Sequence, residues 1–404
     1  MSTAEIAEVI SAESETEKEK GGDKSPLQTN ISIKKQNGES LDISVLTVKS
    51  WDFDTLQYSH DELQLITPFF FSEFNLLDEF SVSAEVFSRF TKEISGRYIN
   101  TNSYHNFTHG VDVLHAVYML TSQSHMHKVY SKLEMFSLFT AALSHDVGHL
   151  AVNNVYLVKA KHNLAITYND VSPLENMHCA ELYRVLGGED TNIFSGMTDA
   201  QWRESRKIIL PCILGTDMTA HFSQIKDVQA FHAANGEEIK EFTTGKSDVV
   251  PAPFLDAEKR LFMMVISLHC ADISNPYKKF PSCKKWAELI VVEFCEQGDR
   301  EKAEGLEISP MCDRSALNLY NMQMGFIEFV VAPLIVGFIN ILPALNSIGD
   351  TMVENMANWG RLRKEEIQGS EMENKDEEVD KLDARVEKFN STMSFLGTLK
   401  DSCS

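Results

Sequence analysis

The sequence has little positive charge and no long uninterrupted apolar run. Its 404 residues include 37 lysines and arginines against 59 aspartates and glutamates, which gives a formal net charge of −22. Such a surface disfavours broad binding to nucleic acids or to anionic membranes. The most apolar stretch, residues 326–342, is interrupted by Glu328, Pro333 and Asn340. This pattern predicts a buried, bent core helix and no membrane span.

The sequence also lacks closely spaced cysteines. Its seven cysteines are scattered, and no two of them form a Cys-x-x-Cys pair. An odd number without such pairs favours a reduced, intracellular setting in which most thiols are small core residues. The acidic, polar N-terminus does not fit a secretory signal. We therefore expect a cytoplasmic protein.

Strand-like alternation and hairpin dipeptides are nearly absent, whereas helical periodicity is common. Between Trp51 and Trp359 the apolar residues recur at steps of three and four, as at Phe87, Phe90 and Ile94. This spacing is typical of helices that bury one face. It predicts an all-α fold with a single compact multi-helix domain.

Composition divides the chain into three segments. Residues 1–48 are predicted as an acidic, flexible N-terminal tail, 49–360 as the catalytic domain and 361–404 as a charged C-terminal segment. Within the first segment, residues 31–33 and 41–48 alternate weakly and predict either a short strand or an extended arm.

Two polar stretches interrupt the helical pattern. Residues 223–254 contain Gly236, Gly245 and two prolines, which predicts a surface loop inserted between helices. Residues 296–315 mix charge, glycine and proline, and they predict a loop that could form a lid.

The C-terminal segment contains an amphipathic helix. Its apolar residues step by three and four, at Val379, Leu382, Val386, Phe389, Met393 and Leu396. Such a helix packs either on its own domain or on a second copy through a coiled coil, which would produce a homodimer. The pattern leaves both alternatives open.

Two short histidine motifs carry the strongest chemical signal. His105 and His109 are four residues apart, as are His145 and His149, and Asp146 lies within the second motif. Histidines at this spacing share one face of a helix, if the segments are helical. An apolar helix, residues 135–143, leads into the second motif, so burial there requires a compensating charge, and a metal supplies it.

Asp272, in apolar surroundings, adds a further carboxylate. Imidazoles suit zinc or iron, whereas carboxylates and waters suit magnesium or manganese. The adjacent pair His145 and Asp146 suggests two metals that share the aspartate, and such a pair of metals suits phosphoester hydrolysis. There is no P-loop, GxSxG or HExxH motif, so those hydrolase classes lack support.

These residues and several later motifs resemble the class I cyclic nucleotide phosphodiesterases. The likeness spans about residues 51–333. The matching motifs, in chain order, are Tyr104-His105-Asn106-x-x-His109, His145-Asp146-Val147-x-His149, Leu174-Glu175-Asn176, Thr216-Asp217-Met218, His269-Cys270-Ala271-Asp272-Ile273-Ser274-Asn275-Pro276, Gln297-Gly298-Asp299-Arg300-Glu301, Ile308-Ser309-Pro310-Met311-Cys312-Asp313 and Gln323-Met324-Gly325-Phe326-Ile327.

The resemblance implies a ligand set and a general acid. It implies that a tightly bound zinc ion is held by His109, His145, Asp146 and Asp272. Asp146 would also contact a second metal, magnesium in most relatives, with manganese as an alternative. A hydroxide bridging the two metals would attack the cyclic phosphate, and His105 would protonate the departing O3′. The product would be a nucleoside 5′-monophosphate, so the enzyme would terminate cyclic nucleotide signalling.

The same resemblance implies supporting and substrate-binding residues. The family positions that hold waters or lie behind the metal ligands correspond to His149, Glu175 and Asp217. The positions that line the nucleotide pocket correspond to Tyr104, Met218, Ile273, Asn275, Ile290, Gln323 and Phe326. Gln323 would bind the purine edge, and Phe326 would stack on the ring opposite Ile290.

Substrate choice depends on the orientation of the Gln323 amide, which its neighbours decide. The dipeptide Asn275-Pro276 is similar to that of cAMP-preferring relatives, so we expect cAMP as the favoured substrate, with cGMP as the other candidate. Two alternatives stay open: a different metal-dependent nucleotide phosphohydrolase of the His-Asp type, and an inactive cyclic-nucleotide sensor.

Overall fold

The computed structural model describes residues 30–34 and 40–401, with side chains at 30–32 and 40–393. Two antiparallel strands, β1 (Asn30–Lys34) and β2 (Ser40–Ser44), pair with Ile31 opposite Ile43. Both isoleucines are buried in the main core. Of the two alternatives for residues 31–33 and 41–48, a short strand is observed up to Ser44, whereas residues 45–48 are helical. The strand pair attaches this part of the predicted N-terminal tail to the core.

Most of the other described residues are helical, and the predicted all-α fold is confirmed. In chain order the α-helices are α1 (Val45–Val48), α2 (His60–Ser72), α3 (Leu76–Glu79), α4 (Ala84–Arg97), α5 (Phe107–Gln123), α6 (Lys132–Ser144), α7 (Asn154–Lys159), α8 (Asn163–Thr167), α9 (Pro173–Leu186), α10 (Asp199–Leu214), α11 (His221–Thr243), α12 (Ala252–Leu255), α13 (Ala257–Asp272), α14 (Phe280–Ala303), α15 (Leu319–Phe326), α16 (Ala332–Ile341), α17 (Asn346–Gly369) and α18 (Lys375–Asp401).

Shorter helical turns connect these helices. The 3₁₀ turns are Thr55–Gln57, Met126–Lys128, Met218–Ala220, Asn275–Tyr277 and Pro343–Leu345. A π-helical segment, Ile327–Val331, joins α15 to α16. An inserted π turn shifts the register of the helix that follows it.

Helices α5 and α6 form the centre of the core. Nearly every residue of both is buried, as expected for helices that are apolar on all sides. They pack on each other, α5 also packs on α13, and α6 packs on α10. The ends of these central helices therefore lie inside the protein, and both histidine motifs are found there.

Local capping signals define several helix starts. A capping box at Thr198 opens α10. A second capping box at Ser131 opens α6, with the Glu134 side chain accepting a hydrogen bond from the Ser131 N–H at 2.8 Å. Asp256 caps α13 by accepting from the Glu258 N–H at 2.8 Å.

The prediction of a surface loop over residues 223–254 was wrong for most of its length. Residues His221–Thr243 form the long helix α11. Its buried positions include Ile225, Val228, Ile239 and Phe242, which recur at helical spacing. The polar residues between them lie on the opposite face, so a polar composition here reflects an amphipathic helix.

The predicted lid over residues 296–315 begins inside a helix. Helix α14 continues to Ala303, and an irregular segment follows it up to α15. The buried carboxylate of Glu301 accepts a hydrogen bond from the Ser309 N–H at 2.6 Å. The irregular segment is therefore attached to the end of α14.

The most apolar stretch of the chain forms α15, the π turn and α16. Residues Leu319–Ile341 are long and apolar enough to cross a membrane, but 56% of their most apolar window is buried within the protein. Such burial is typical of a core helix, as the sequence predicts.

The C-terminal helix α18 packs on α17 of its own domain. Its apolar face places Leu382, Phe389 and Met393 in the main core. Docking on the protein's own body, one of the two alternatives for this helix, is the arrangement observed.

Candidate active site

The first histidine motif straddles the start of α5. The Asn106 side chain caps this helix by accepting a hydrogen bond from the Thr108 N–H at 2.9 Å. His105 therefore precedes the helix, whereas His109 lies in its first turn. The condition under which the two histidines would share a helix face is not met, because the N-cap residue Asn106 stands between them.

The second motif forms a tight turn after α6. The helix ends at Ser144, and Gly148 has a φ of +82°, a conformation that favours glycine. The Asn102 side chain joins this turn to the first motif by donating to the carbonyl oxygens of His105 and His149 at 2.9 and 2.7 Å. The turn, rather than a helix face, thus sets the positions of the second motif.

Four side chains meet where these two motifs approach the end of α13. The ligand atoms of His109, His145, Asp146 and Asp272 all lie within 4.8 Å of one another. The Nε2 atom of His109 is 3.1 Å from Oδ1 of Asp272 and 3.4 Å from Oδ2 of Asp146. The Nε2 atom of His145 is 3.2 and 3.3 Å from the same two oxygens. This is the ligand set expected from the sequence.

The tautomer of His145 shows that this cluster needs a cation. Its Nδ1 atom lies 2.9 Å from the carbonyl oxygen of Ala142 and donates a proton to it. The neutral ring then presents a lone pair at Nε2 to the carboxylate oxygens of Asp146 and Asp272. Such an arrangement is stable only with a proton or a metal ion between the groups. The residues present therefore fit a divalent metal.

The charges of the cluster reinforce this conclusion. Burial disfavours the charged form of every group here. The carboxylates of Asp146 and Asp272 nevertheless outweigh burial and hold the pKa of His145 well above its usual range. Conversely, His145 and His109 hold the pKa values of both aspartates well below theirs. The imidazole of His145 and the two carboxylates thus stabilise one another's charged forms.

His105 lies beside this cluster and is held by Glu293 of α14. Its Nε2 atom is 4.0 Å from Oδ2 of Asp146, and its Nδ1 atom is hydrogen-bonded to the Glu293 carboxylate. Burial lowers the pKa of His105, but Glu293 overcomes this effect and raises the pKa to about 9. Burial alone would raise the pKa of Glu293, but the neighbouring His105 lowers it to about 2.

Two further imidazoles stack behind His105. The His149 ring lies parallel to the His105 ring at 3.9 Å, and His178 lies 5.7 Å beyond it. Burial lowers the pKa of His149 to about 3 and that of His178 to about 4. Nε2 of His178 is 3.5 Å from Oδ1 of Asp146. Both carboxylate oxygens of Asp146 therefore lie near imidazole nitrogen atoms.

Glu175 and Asp217 are held by side chains of neighbouring loops. Glu175 accepts a hydrogen bond from Nδ2 of Asn154 at 2.9 Å, and burial raises its pKa to about 7. Asp217 accepts from the Ser172 hydroxyl at 2.6 Å and caps the 3₁₀ turn at Met218. The charge of Asp217 further raises the pKa of Glu175.

The predicted nucleotide-binding residues occupy three parts of the structure. Nδ2 of Asn275 donates to the Tyr104 hydroxyl at 2.6 Å. Ile273, two residues before Asn275, is buried. The remaining residues lie elsewhere in the chain: Ile290 is on α14, Gln323 and Phe326 are on α15, and Met218 is in the 3₁₀ turn after α10. Helices α14 and α15 pack on each other, and Gln323 is buried whereas Met218 is 46% exposed.

Comparison with known proteins agrees with this geometry. The profile of the 3'5'-cyclic nucleotide phosphodiesterases matches residues 104–352. The chain belongs to this phosphodiesterase family.

The chain is 33% identical to the 3',5'-cyclic-AMP phosphodiesterase 4C of Rattus norvegicus over 285 residues, which cover 70% of this chain and 51% of that protein. It is also 33% identical to isoform F of the 3',5'-cyclic-AMP phosphodiesterase of Drosophila melanogaster, over 70% of this chain and 42% of that one. The chain spans about half, or less, of the length of these phosphodiesterase relatives.

Solved phosphodiesterase structures share the fold. The phosphodiesterase domain of the RhoPDE fusion protein from the choanoflagellate Salpingoeca rosetta superposes with a TM-score of 0.74 at 28% identity, covering 80% of this chain and 97% of that one. LmjPDEB1, solved in complex with IBMX, superposes with a TM-score of 0.70 at 25% identity, covering 78% and 92%. The phosphodiesterase fold therefore extends over most of this chain.

Two residues of this phosphodiesterase site were missed as functional candidates from the sequence. Glu293 is buried and directly follows Val291 and Val292 on α14. A single acidic residue within an apolar run is the sequence signal that could have identified it. His178 lies two residues after the motif Leu174-Glu175-Asn176 and was not among the candidates. Its contact with Asp146 depends on how α9 packs, and no local spacing encodes that.

Proposed function

We propose that this protein hydrolyses the 3′ phosphoester bond of a 3′,5′-cyclic nucleotide, with cAMP favoured, to the nucleoside 5′-monophosphate. One observation carries the proposal: His105, oriented by Glu293, lies beside the cluster of His109, His145, Asp146 and Asp272. A proton donor next to a metal-binding cluster is the combination that phosphoester cleavage requires.

His109, His145, Asp146 and Asp272 would hold a tightly bound divalent metal, zinc in our proposal. Asp146, whose second oxygen faces His178 at 3.5 Å, would share its carboxylate with a second metal, magnesium or manganese. When bound, such metals neutralise phosphate charge and lower the pKa of coordinated water. Glu175 and Asp217, held by Asn154 and Ser172, are the carboxylates that would order waters around the second metal.

His105 would supply the proton that the departing O3′ needs. Its Nδ1 is engaged by Glu293, which leaves Nε2 directed toward the cluster. The Glu293 carboxylate also accepts hydrogen bonds from the N–H groups of Tyr104 and His105, at 3.0 and 3.1 Å. The ring is thereby held in one orientation and kept protonated at neutral pH, as a general acid must be.

The preference for cAMP is supported by Asn275. Because Nδ2 of Asn275 donates to Tyr104, its Oδ1 remains an acceptor, and this buried atom has no protein partner among the described residues. A buried acceptor is satisfied best by a donor on the ligand. The exocyclic amino group of adenine is such a donor, whereas the corresponding guanine group is a carbonyl. Both relatives compared above are named 3',5'-cyclic-AMP phosphodiesterases.

Hydrolysis of cAMP and cGMP, measured side by side, tests the proposal. The protein is assayed with added Mg²⁺ and after exhaustive chelation, and the products are identified by chromatography. We expect metal-dependent release of 5′-AMP and a higher kcat/KM for cAMP than for cGMP. Binding of nucleotide without turnover would support a sensor instead, and preferential cleavage of linear phosphoesters would support a different phosphohydrolase.

A further inference from the structure

The C-terminal helix α18 touches the segment that carries the proposed purine-binding residues. Nε of Arg385 lies 2.7 Å from Oε2 of Glu328, and both side chains are largely buried. The Arg385 guanidinium also lies over the Phe329 ring, 5.8 Å from its centroid. Its Nη2 is 3.8 Å from where a Cβ of Gly325 would stand. One arginine thus contacts two side chains of the π turn and lies close to Gly325 of α15.

The π turn is also contacted by helix α11. Nε2 of His221, on α11, lies 3.1 Å from the carbonyl oxygen of Val330 and donates to it. The Nδ1 atom of His221 is 2.8 Å from Nε2 of His269 on α13. Two helices far apart in sequence therefore hold the segment Ile327–Val331, through His221 and Arg385.

The position of this π turn matters for Gln323 and Phe326. The turn begins directly after Phe326, and the N–H of its first residue, Ile327, donates to the carbonyl oxygen of Gln323. A shift of the turn would rotate the Gln323 amide and the Phe326 ring relative to the rest of the pocket. A purine that is bound along its edge and stacked on its face is sensitive to displacements of this kind.

We propose that Arg385 is a positioning residue for nucleotide recognition: through Glu328 it fixes the π turn and, with it, the orientation of Gln323 and Phe326. This inference rests on the proposed function of the same site. It predicts that the C-terminal helix controls affinity and the choice between cAMP and cGMP. The metal ligands and His105 lie on other elements, so the chemical step is left unchanged.

A matched pair of variants tests the inference. Arg385→Ala removes the contact with Glu328, whereas the control Lys364→Ala removes another ion pair of α18, the 2.6 Å contact between Lys364 and Asp383. Both variants remove an ion pair made by α18, but only Arg385→Ala removes one made with the π turn. Glu328→Gln, which keeps the size of the partner side chain, provides a second variant if Arg385→Ala is poorly folded.

We expect Arg385→Ala to raise KM for cAMP by about three- to tenfold and to change the ratio of kcat/KM for cAMP and cGMP, with kcat within about twofold. Glu328→Gln should do the same, and the double variant should add little to either, since they remove one interaction. Lys364→Ala should match the wild type. Thermal unfolding of all variants is measured in parallel.

Equal KM values and equal selectivity in Arg385→Ala, Glu328→Gln and Lys364→Ala would overturn the inference while leaving the proposed function intact. A fall in kcat without a change in KM or selectivity would also overturn it, because the contact would then act on chemistry. A wild-type protein without turnover of either nucleotide would instead refute the proposed function.

Discussion

The Glu293 carboxylate binds His105 through two hydrogen bonds and its neighbour Tyr104 through a third. It is hydrogen-bonded to Nδ1 of the ring, and it accepts from the N–H groups of His105 and Tyr104. These contacts bring together residues 188 positions apart in the chain. They determine the orientation of the ring and raise the pKa of His105 to about 9.

Replacing Glu293 with glutamine should lower kcat and change its pH dependence. His105 donates a proton only while protonated, so activity is lost as pH rises through its pKa. Glu293 raises that pKa, and its removal should move the alkaline limb of the kcat profile to lower pH. We expect kcat near neutral pH to fall about 10- to 100-fold. The measurement is kcat against pH at saturating metal; an unshifted alkaline limb would show that His105 is not the titrating group.

His105→Ala and Asp272→Ala should separate proton donation from metal binding. His105→Ala should retain metal and nucleotide binding but lose about 10²- to 10⁴-fold in kcat, the usual contribution of a general acid.

Asp272→Ala should lose the tight metal and nearly all activity, because Oδ1 of Asp272 lies within 3.2 Å of both His109 and His145. Metal content is measured by elemental analysis. Full metal content in Asp272→Ala would remove this aspartate from the ligand set.

The buried ion pair between Lys278 and Asp112 should be important for stability. Their side chains are 2.6 Å apart and 3% and 2% exposed. Lys278→Met leaves the Asp112 charge buried without its partner, so we expect a loss of about 3–5 kcal/mol in the free energy of unfolding. The exposed pair of Lys284 and Glu288 provides the control: Lys284→Met should change stability by less than about 0.5 kcal/mol. Urea denaturation measures both, and equal effects would contradict the prediction.

Two helical glycines should respond oppositely to alanine. A Cβ at Gly298 would lie 2.0 Å from the carbonyl oxygen of Cys312, whereas a Cβ at Gly96 would meet nothing within 4 Å. Gly298→Ala should therefore displace the segment after α14 and destabilise the protein by about 1–3 kcal/mol. Gly96→Ala should be neutral or stabilise it by up to about 1 kcal/mol. Thermal unfolding compares them; a stable Gly298→Ala would mean that the segment around Cys312 adjusts freely.

The difference between α11 and α6 shows which helices can be predicted from the sequence. Residues 135–143 of α6 are almost all apolar, and the helix was evident. Helix α11 buries residues such as Ile225 and Val228 on one face only, and its glycine and polar residues concealed the periodicity. A helix that is stabilised mainly by packing one face on a neighbour has a weaker apolar pattern in its sequence than a helix that is buried on all sides.

The sequence by itself determined the chemistry that this protein offers. The order and spacing of the histidines and aspartates identified the family and its ligand set, because ligand identity is a property of residue type. Only the tertiary structure decided how these groups act: it placed Glu293 against His105, His178 against Asp146 and Arg385 against Glu328. Each of these contacts joins segments that are distant in the chain. Their geometry follows from how whole helices pack, which local sequence patterns do not encode.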